Sequence, residues 1–243
     1  MSSRKIPILK SPKIRVGITI GDPSGVGPFI VSSALKKLKG LADFVIIGDA
    51  GVLKRSSPKQ SLPTGVELVD LSNVNKKSFS FGKIRPEYGK ASMEYVDRAL
   101  NMLKINSIDC LVTCPISKES INLAGYKYSG HTEYLEEKTD TDFTVMMLLN
   151  KKLTFSLLTR HIPLNKVASE LSKENIYNNI KLTANSLKEL FLIRRPSIVV
   201  CGLNPHASDK GPSIFIFSLF RQFLSAGSIT LFSSSPIRPL SDA

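Results

Sequence analysis

Only three histidines occur in the 243 residues of this chain, and each stands where chemistry is plausible. "YSGHTEY" places His131 between a glycine and a threonine, "LLTRHIPL" places His161 at the end of a strand-like run, and "CGLNPHA" places His206 just past another. An imidazole at a strand end points into the cleft where α/β proteins bind ligands. Two neutral imidazoles such as His161 and His206 could hold a divalent metal, although two ligands make an incomplete site. Taken singly, each histidine is better explained by a hydrogen-bonded structural role; all three at strand ends or a glycine turn shift the balance toward a site. His131 and Thr132, side by side after Gly130, can present an imidazole and a hydroxyl to one phosphate or hydroxyl group. Thr132 can equally be a helix N-cap, with Glu133 and Glu136 favourable in the first turn.

Two further stretches carry candidate contacts. "GDPSGVGP" (21–28) follows a strand and precedes the apolar "FIVSSALKKL". Its glycines let the backbone approach a ligand, Pro28 suits the first turn of a helix, and amides at that helix start could bind phosphate. The spacing is neither a dinucleotide fingerprint nor a P-loop, and a plain strand-to-helix turn explains it as well. "TCPISKESINLAG" (113–125) lies at the carboxyl end of a strand, where Lys118 could offer positive charge; a capped short helix with a solvated lysine is the simpler account. Asp22, Gly25, Lys118 and Asn204 are therefore candidates for phosphate or cleft contacts.

The elements that must position these residues alternate. "RVGITI" (15–20) reads as a buried strand, and "DFVIIGD" (43–49), "GVELVDL" (65–71) and "IDCLVT" (108–113) read as further strands. "KASMEYVDRALNML" (90–103) spaces Met93, Val96, Leu100 and Leu103 as a helix. This alternation predicts an α/β protein with a largely parallel sheet. "FTVMMLLN" and "LTFSLLT", joined by Asn150, Lys151 and Lys152, predict a hairpin and antiparallel pairing. A helix over 173–191 carries Ile176, Ile180, Ala184, Leu187 and Phe191 on one face, and "SIVVCGL" (197–203) reads as a buried strand. "KRSSPKQSLPT" (54–64) reads as a surface loop. From Ser208 the pattern changes: "SIFIFSLF" fits strand or helix, and the serine-rich close shows neither period.

Bulk composition narrows the classes. Hydrophobic residues make up 42% and mean hydropathy is +0.03, a globular balance. No apolar run is long enough to span a membrane, and the basic start lacks the apolar middle of a secretory signal, so a cytoplasmic protein is expected. Three cysteines with an uneven spacing make neither a disulfide framework nor a zinc knuckle, and Cys110 and Cys201 are expected as buried free thiols. The net charge of +13 is spread along the chain without an aromatic-rich basic motif, which favours attraction of anionic metabolites over nucleic-acid binding.

"GITIGDPSGVGP", "TCPISKESINLAG", "YSGHTEYLEE", "LLTRHIPL" and "VCGLNPHA" occur in an order that resembles the 4-hydroxythreonine-4-phosphate dehydrogenase family of pyridoxal 5′-phosphate biosynthesis. The resemblance covers about residues 14 to 207. It implies a two-lobed α/β/α fold similar to the isocitrate and isopropylmalate dehydrogenases, and a homodimer with the active site near the interface. It implies NAD (or NADP) and a divalent metal (Zn, Mg, Mn or Co), with His161 and His206 as two of three histidine ligands. It implies that His131 and Thr132 bind the phosphorylated substrate, and that 4-phosphohydroxy-L-threonine is oxidised and decarboxylated. A related dehydrogenase of another phosphorylated hydroxy acid, such as 4-phosphoerythronate, and a non-catalytic phosphometabolite-binding remnant are the alternatives. No nucleic acid or membrane partner is expected.

The organisation expected on that basis is a disordered basic arm (1–13), a first α/β lobe (14–127), a partial second lobe (128–207) and a divergent tail (208–243). The family's third metal histidine, in a Y-H-D-Q-G-type motif, and its later lysine, asparagine and arginine contacts have no counterpart here. Phe29 stands where the family usually carries a glutamate. The expectation is a truncated or frame-shifted member with weak stability and little dehydrogenase activity.

Overall fold

The computed structural model describes residues 13–59, 61–141, 143–150 and 153–203, and the backbone of two further strands at 215–218 and 227–231. The chain divides into two compact units, with the division between His131 and Thr132.

The first unit is built on a four-stranded parallel sheet of β1 (Arg15–Thr19), β2 (Asp43–Gly48), β3 (Glu67–Asp70) and β4 (Cys110–Thr113), in the order β3-β2-β1-β4. Thr19 pairs with Ile47 on one side and with Thr113 on the other, so the carboxyl ends of β2, β1 and β4 align. Helices α1 (Gly27–Lys37), α2 (Ala50–Ser56), α3 (Pro86–Lys104) and α4 (Lys118–Leu123) connect or follow the strands. Pro28 stands in the first turn of α1, as expected of a residue whose missing N–H would be unpaired there anyway. Asp49 caps α2 by accepting from Val52 N–H at 3.0 Å. Along α3 the buried positions Tyr88, Ala91, Tyr95, Ala99 and Met102 recur at spacings of three and four and join Ile18, Ile20, Val31 and Leu35 in one core. The helix meets α4 so closely that a Cβ on Gly89 would strike the Ser120 carbonyl.

Two expectations change here. The segment 54–64 is not all loop, because Lys54, Arg55 and Ser56 complete α2; Lys54 and Arg55 suit its outer face and last turn, and the buried Ser56 donates its hydroxyl to Leu53 O. Cys110 is exposed rather than buried, since β4 is the outermost strand of the sheet among the described residues. Cys114, one residue past β4, is the buried thiol, and burial pushes it up to about 11.

Helix α5 (His131–Lys138) begins at the division, and the second unit carries it from Thr132 onward, with the hairpin β5 (Val145–Leu149) and β6 (Thr154–Leu157), α6 (Lys173–Glu189), β7 (Ile198–Cys201), β8 (Phe215–Ser218) and β9 (Gly227–Leu231). The hairpin forms as its sequence predicts, with Leu149 opposite Thr154 and the Asn150 side chain accepting from Leu153 N–H at 2.8 Å. The sheet order is β7-β8-β6-β5-β9, antiparallel throughout. "SIFIFSLF" thus contributes a strand, and so does part of the serine-rich close, where Gly227–Leu231 pairs with β5 and a short alternation of Ser228, Ile229, Thr230 and Leu231 was the signal.

Ser172 caps α6 by accepting from Asn175 N–H. Its fully buried positions are Asn179, Thr183, Ser186 and Leu187, while Ile176, Ile180, Ala184 and Phe191 are half-buried. The shift has a cause on the neighbouring strand: the Ser156 hydroxyl bonds Asn179 Oδ1 and Thr183 Oγ1, each at 2.8 Å, so a polar ladder occupies the buried centre. β7 is not the buried strand expected, for Val199 and Val200 are exposed and Cys201 is half-buried.

Candidate active site

In the first unit the loop after β1 and the segment after β4 are stitched together. Gly21 adopts φ +71, and a Cβ there would strike the Pro115 carbonyl, so glycine is required by both conformation and space. Asp22 N–H donates to Pro115 O at 2.9 Å, and Gly25 N–H donates to Asp22 O at 3.0 Å. The Asp22 carboxylate is buried and accepts from Ser24 N–H at 2.7 Å. Burial raises its carboxyl above the usual range, with partial offset from the Ser24 amide and the Ser120 hydroxyl. Ser24 extends the network, donating its hydroxyl to Ser80 O at 3.0 Å and accepting from Lys83 N–H at 2.8 Å.

Asp22, Gly25 and the Lys118 segment are thus brought to one edge of the parallel sheet, where α/β ligands bind. Lys118 is exposed at the start of α4, behind a Ser117 cap that accepts from Ser120 N–H. Phe29, in the position of the expected glutamate, is part exposed and stacks near Phe81 with centroids 4.9 Å apart.

In the second unit the feature of interest is α5 and what it holds. His131 opens the helix, so Thr132 lies inside its first turn rather than capping it. His131 Nε2 is buried and without a partner among the described residues, and burial lowers the imidazole below its usual range. One turn on from Thr132, Glu136 accepts from Arg160 Nη2 at 2.8 Å and from the Thr144 hydroxyl. Arg160 Nη2 also reaches Thr144 Oγ1 at 3.1 Å. The loop carrying His161 is thereby tied to the helix carrying Thr132.

His161 itself lies beyond β6 rather than at its end, in the loop before a 3-10 turn at Leu164–Lys166. It is exposed with φ +52, a conformation that costs a non-glycine residue free energy and persists only when its surroundings impose it. His206 and Asn204 lie outside the described residues. Among the described residues no three His, Cys, Asp or Glu side chains gather as a metal site. An exposed imidazole such as that of His161 suits a divalent ion as one donor, but one donor does not make a centre. Sequence reasoning passed over Ser24, Thr144 and Arg160, and read Glu136 only as a favourable acidic residue near a helix start; the one available signal was Arg160 standing directly before His161. Among the described residues no helix is long and apolar enough to cross a membrane.

The profile of a family described as "Pyridoxal phosphate biosynthetic protein PdxA" matches residues 31–213. A 4-hydroxythreonine-4-phosphate dehydrogenase of Sulfurihydrogenibium sp. (strain YO3AOP1) is 38% identical over 214 residues, covering 82% of this chain and 65% of that protein. A Clostridium botulinum relative provisionally named D-threonate 4-phosphate dehydrogenase is 33% identical over 215 residues, covering 81% and 64%. A crystal structure of a 4-hydroxythreonine-4-phosphate dehydrogenase from Klebsiella pneumoniae superposes with a TM-score of 0.71 at 27% identity, covering 81% of this chain and 66% of that one. The chain therefore spans about two thirds of the length of the relatives it matches.

Proposed function

Because the chain belongs to the family of the pyridoxal phosphate biosynthetic protein PdxA, we propose that it acts in the oxidation and decarboxylation of 4-phosphohydroxy-L-threonine. The observation that carries the reading is the arrangement on α5, where His131 and Thr132 open a helix whose next turn is fastened to the His161 loop through Glu136 and Arg160. His131 and Thr132 hold the phosphorylated substrate. Burial favours the neutral imidazole, which then offers one N–H donor and no net charge, and the Thr132 hydroxyl and first-turn amides add donors toward an anion. Asp22, Gly25, Lys118 and Asn204 are further phosphate or cleft contacts in this proposal. His161 and His206 would hold a divalent ion (Zn, Mg, Mn or Co), which with NAD or NADP would supply Lewis acidity and a hydride acceptor. A homodimer with the site near the interface belongs to the same proposal.

A second reading has a specific observation behind it. The relative provisionally named for D-threonate 4-phosphate carries a different phosphorylated hydroxy acid in its name. A binding site that recognises the phosphate end serves either compound, and a related 4-phosphorylated acid such as 4-phosphoerythronate is the alternative substrate.

The test is NADH formation by the whole chain from 4-phosphohydroxy-L-threonine with added divalent cation, beside calorimetric binding of the same compound. The expected result is binding lost on His131→Ala and turnover lost on His161→Ala. A wild-type chain that binds no phosphorylated hydroxy acid refutes the proposal, and a preference for 4-phosphoerythronate selects the second reading.

A further inference from the structure

The Arg160 guanidinium is only half used. Its Nη2 is committed to Glu136 Oε1 at 2.8 Å and Thr144 Oγ1 at 3.1 Å, which fixes the plane of the group. Its Nη1 is buried and has no partner among the described residues. Leaving a charged donor buried and unpaired is costly, and where it persists a ligand is a natural partner. The position of the guanidinium follows from helix geometry: Glu136 is four residues after Thr132 on α5, hence on the same face and one turn away. We infer that Arg160 is a further substrate-binding residue, whose Nη1 donates to an oxyanion of the phosphate held at Thr132.

This rests on the reading of His131 and Thr132 as substrate contacts. The Glu136 carboxylate has a defined part in it. It orients the guanidinium but also opposes an anion nearby, so the two partners must respond differently to mutation. A charge-assisted hydrogen bond to a phosphate oxygen is among the stronger polar contacts, and its loss weakens binding about tenfold or more.

The experiment is calorimetric titration of the whole chain with 4-phosphohydroxy-L-threonine, with inorganic phosphate, and with unphosphorylated 4-hydroxy-L-threonine. Arg160→Ala should weaken the two phosphate-bearing ligands about tenfold or more and leave the third unchanged. Arg160→Lys should recover part of the loss, and Glu136→Gln should bind phosphate as well as wild type or better. If Glu136→Gln weakens binding as much as Arg160→Ala, the pair is only a brace and the inference falls. An equal loss for the unphosphorylated compound also overturns it. Should Arg160→Ala fail to give a native circular dichroism spectrum, the comparison of Arg160→Lys with Glu136→Gln decides. If Thr132→Ala weakens binding and Arg160→Ala does not, this inference alone fails; if neither has an effect, the parent reading fails with it.

Discussion

Tyr95 offers a quantitative test of the first unit's interior. Its ring lies in the core of α3 at 0% exposure, and its hydroxyl has no hydrogen-bond partner among the described residues. Burial and the nearby carboxylates of Asp49, Glu94, Asp70 and Asp22 push the phenol far above its usual range, so the group is a neutral hydroxyl at any working pH. An unpaired buried hydroxyl costs about 1–3 kcal/mol by protein mutational measurement. Tyr95→Phe keeps the ring and removes only the oxygen; a residual void of roughly 10 Å³ at about 24 cal/mol per Å³ gives back only about 0.2 kcal/mol. The expected net effect is a stabilisation of about 1–3 kcal/mol, equivalent to a rise in Tm of roughly 2–12 °C for a chain of this size. The chain has no tryptophan, so unfolding in urea is best followed by far-UV circular dichroism. A raised midpoint at unchanged slope is the expected result. An unchanged or lowered midpoint would refute the reasoning, because it would mean that the hydroxyl is satisfied in the native protein. A gain in stability accompanied by lost turnover would assign the hydroxyl to function, since functional sites commonly hold groups that cost stability.

Asp22→Asn should stabilise the protein at neutral pH: the folded carboxyl titrates above the ordinary carboxylate range, so stability is present below that range and declines as pH rises through the folded value, a decline the amide removes. Urea midpoints of the two proteins across that window should converge in acid and separate above it. His131 has the opposite sign, because its folded value is depressed: stability falls as pH drops below about 6.5, where the unfolded histidine takes a proton that the buried ring refuses. His131→Gln should flatten that acid limb in a thermal-melt series, and an unaltered limb would count against the burial argument. Gly27→Ala should cost about 1–3 kcal/mol by urea titration, because the new methyl would collide with the Ile20 carbonyl, with the Cys114 Cβ at 2.9 Å.

What could be read in the sequence was whatever local chemistry alone decides. β1 and β2 centre on short β-branched apolar runs, α3 repeats at spacings of three and four, and the β5–β6 hairpin has its own turn residues, so each was legible from a short window. The misreadings share a different origin. Asn179 and Thr183 can be buried on α6 only because Ser156 reaches them from another strand, and no window on the helix contains that partner. Cys110 and Val199 stand in apolar runs yet are exposed, because exposure depends on a strand's place in its sheet. β9 alternates only over Ser228, Ile229, Thr230 and Leu231, too short a run to stand out of a serine-rich stretch without its pairing to β5. At the candidate site the histidines stood out by rarity, whereas Arg160 is one basic residue among 33 and gains its meaning only from Glu136 across 24 residues of chain.

The place of β4 in the first sheet has a consequence of its own. Its inner side pairs with β1 from Val16–Cys110 to Thr19–Thr113, and just beyond, Cys114 N–H donates to Thr19 O at 3.1 Å. Its other side has no strand partner among the described residues, and Val112, on one face of this edge strand, is 49% exposed. An open strand edge with an apolar side chain is a template for pairing with another chain, and natural sheets blunt such edges with lysine. Val112→Lys should leave stability within about 0.5 kcal/mol, as exposed substitutions usually do, while lowering self-association measured by light scattering across a concentration series. The long lysine stem can lie along the strand while its ammonium stays in water. A variant that unfolds, or loses more than about 1 kcal/mol in a urea titration, would show that this valine is covered in the working protein. The edge would then be a surface the protein uses, and the segment leading to Lys118 would be held from both sides of β4.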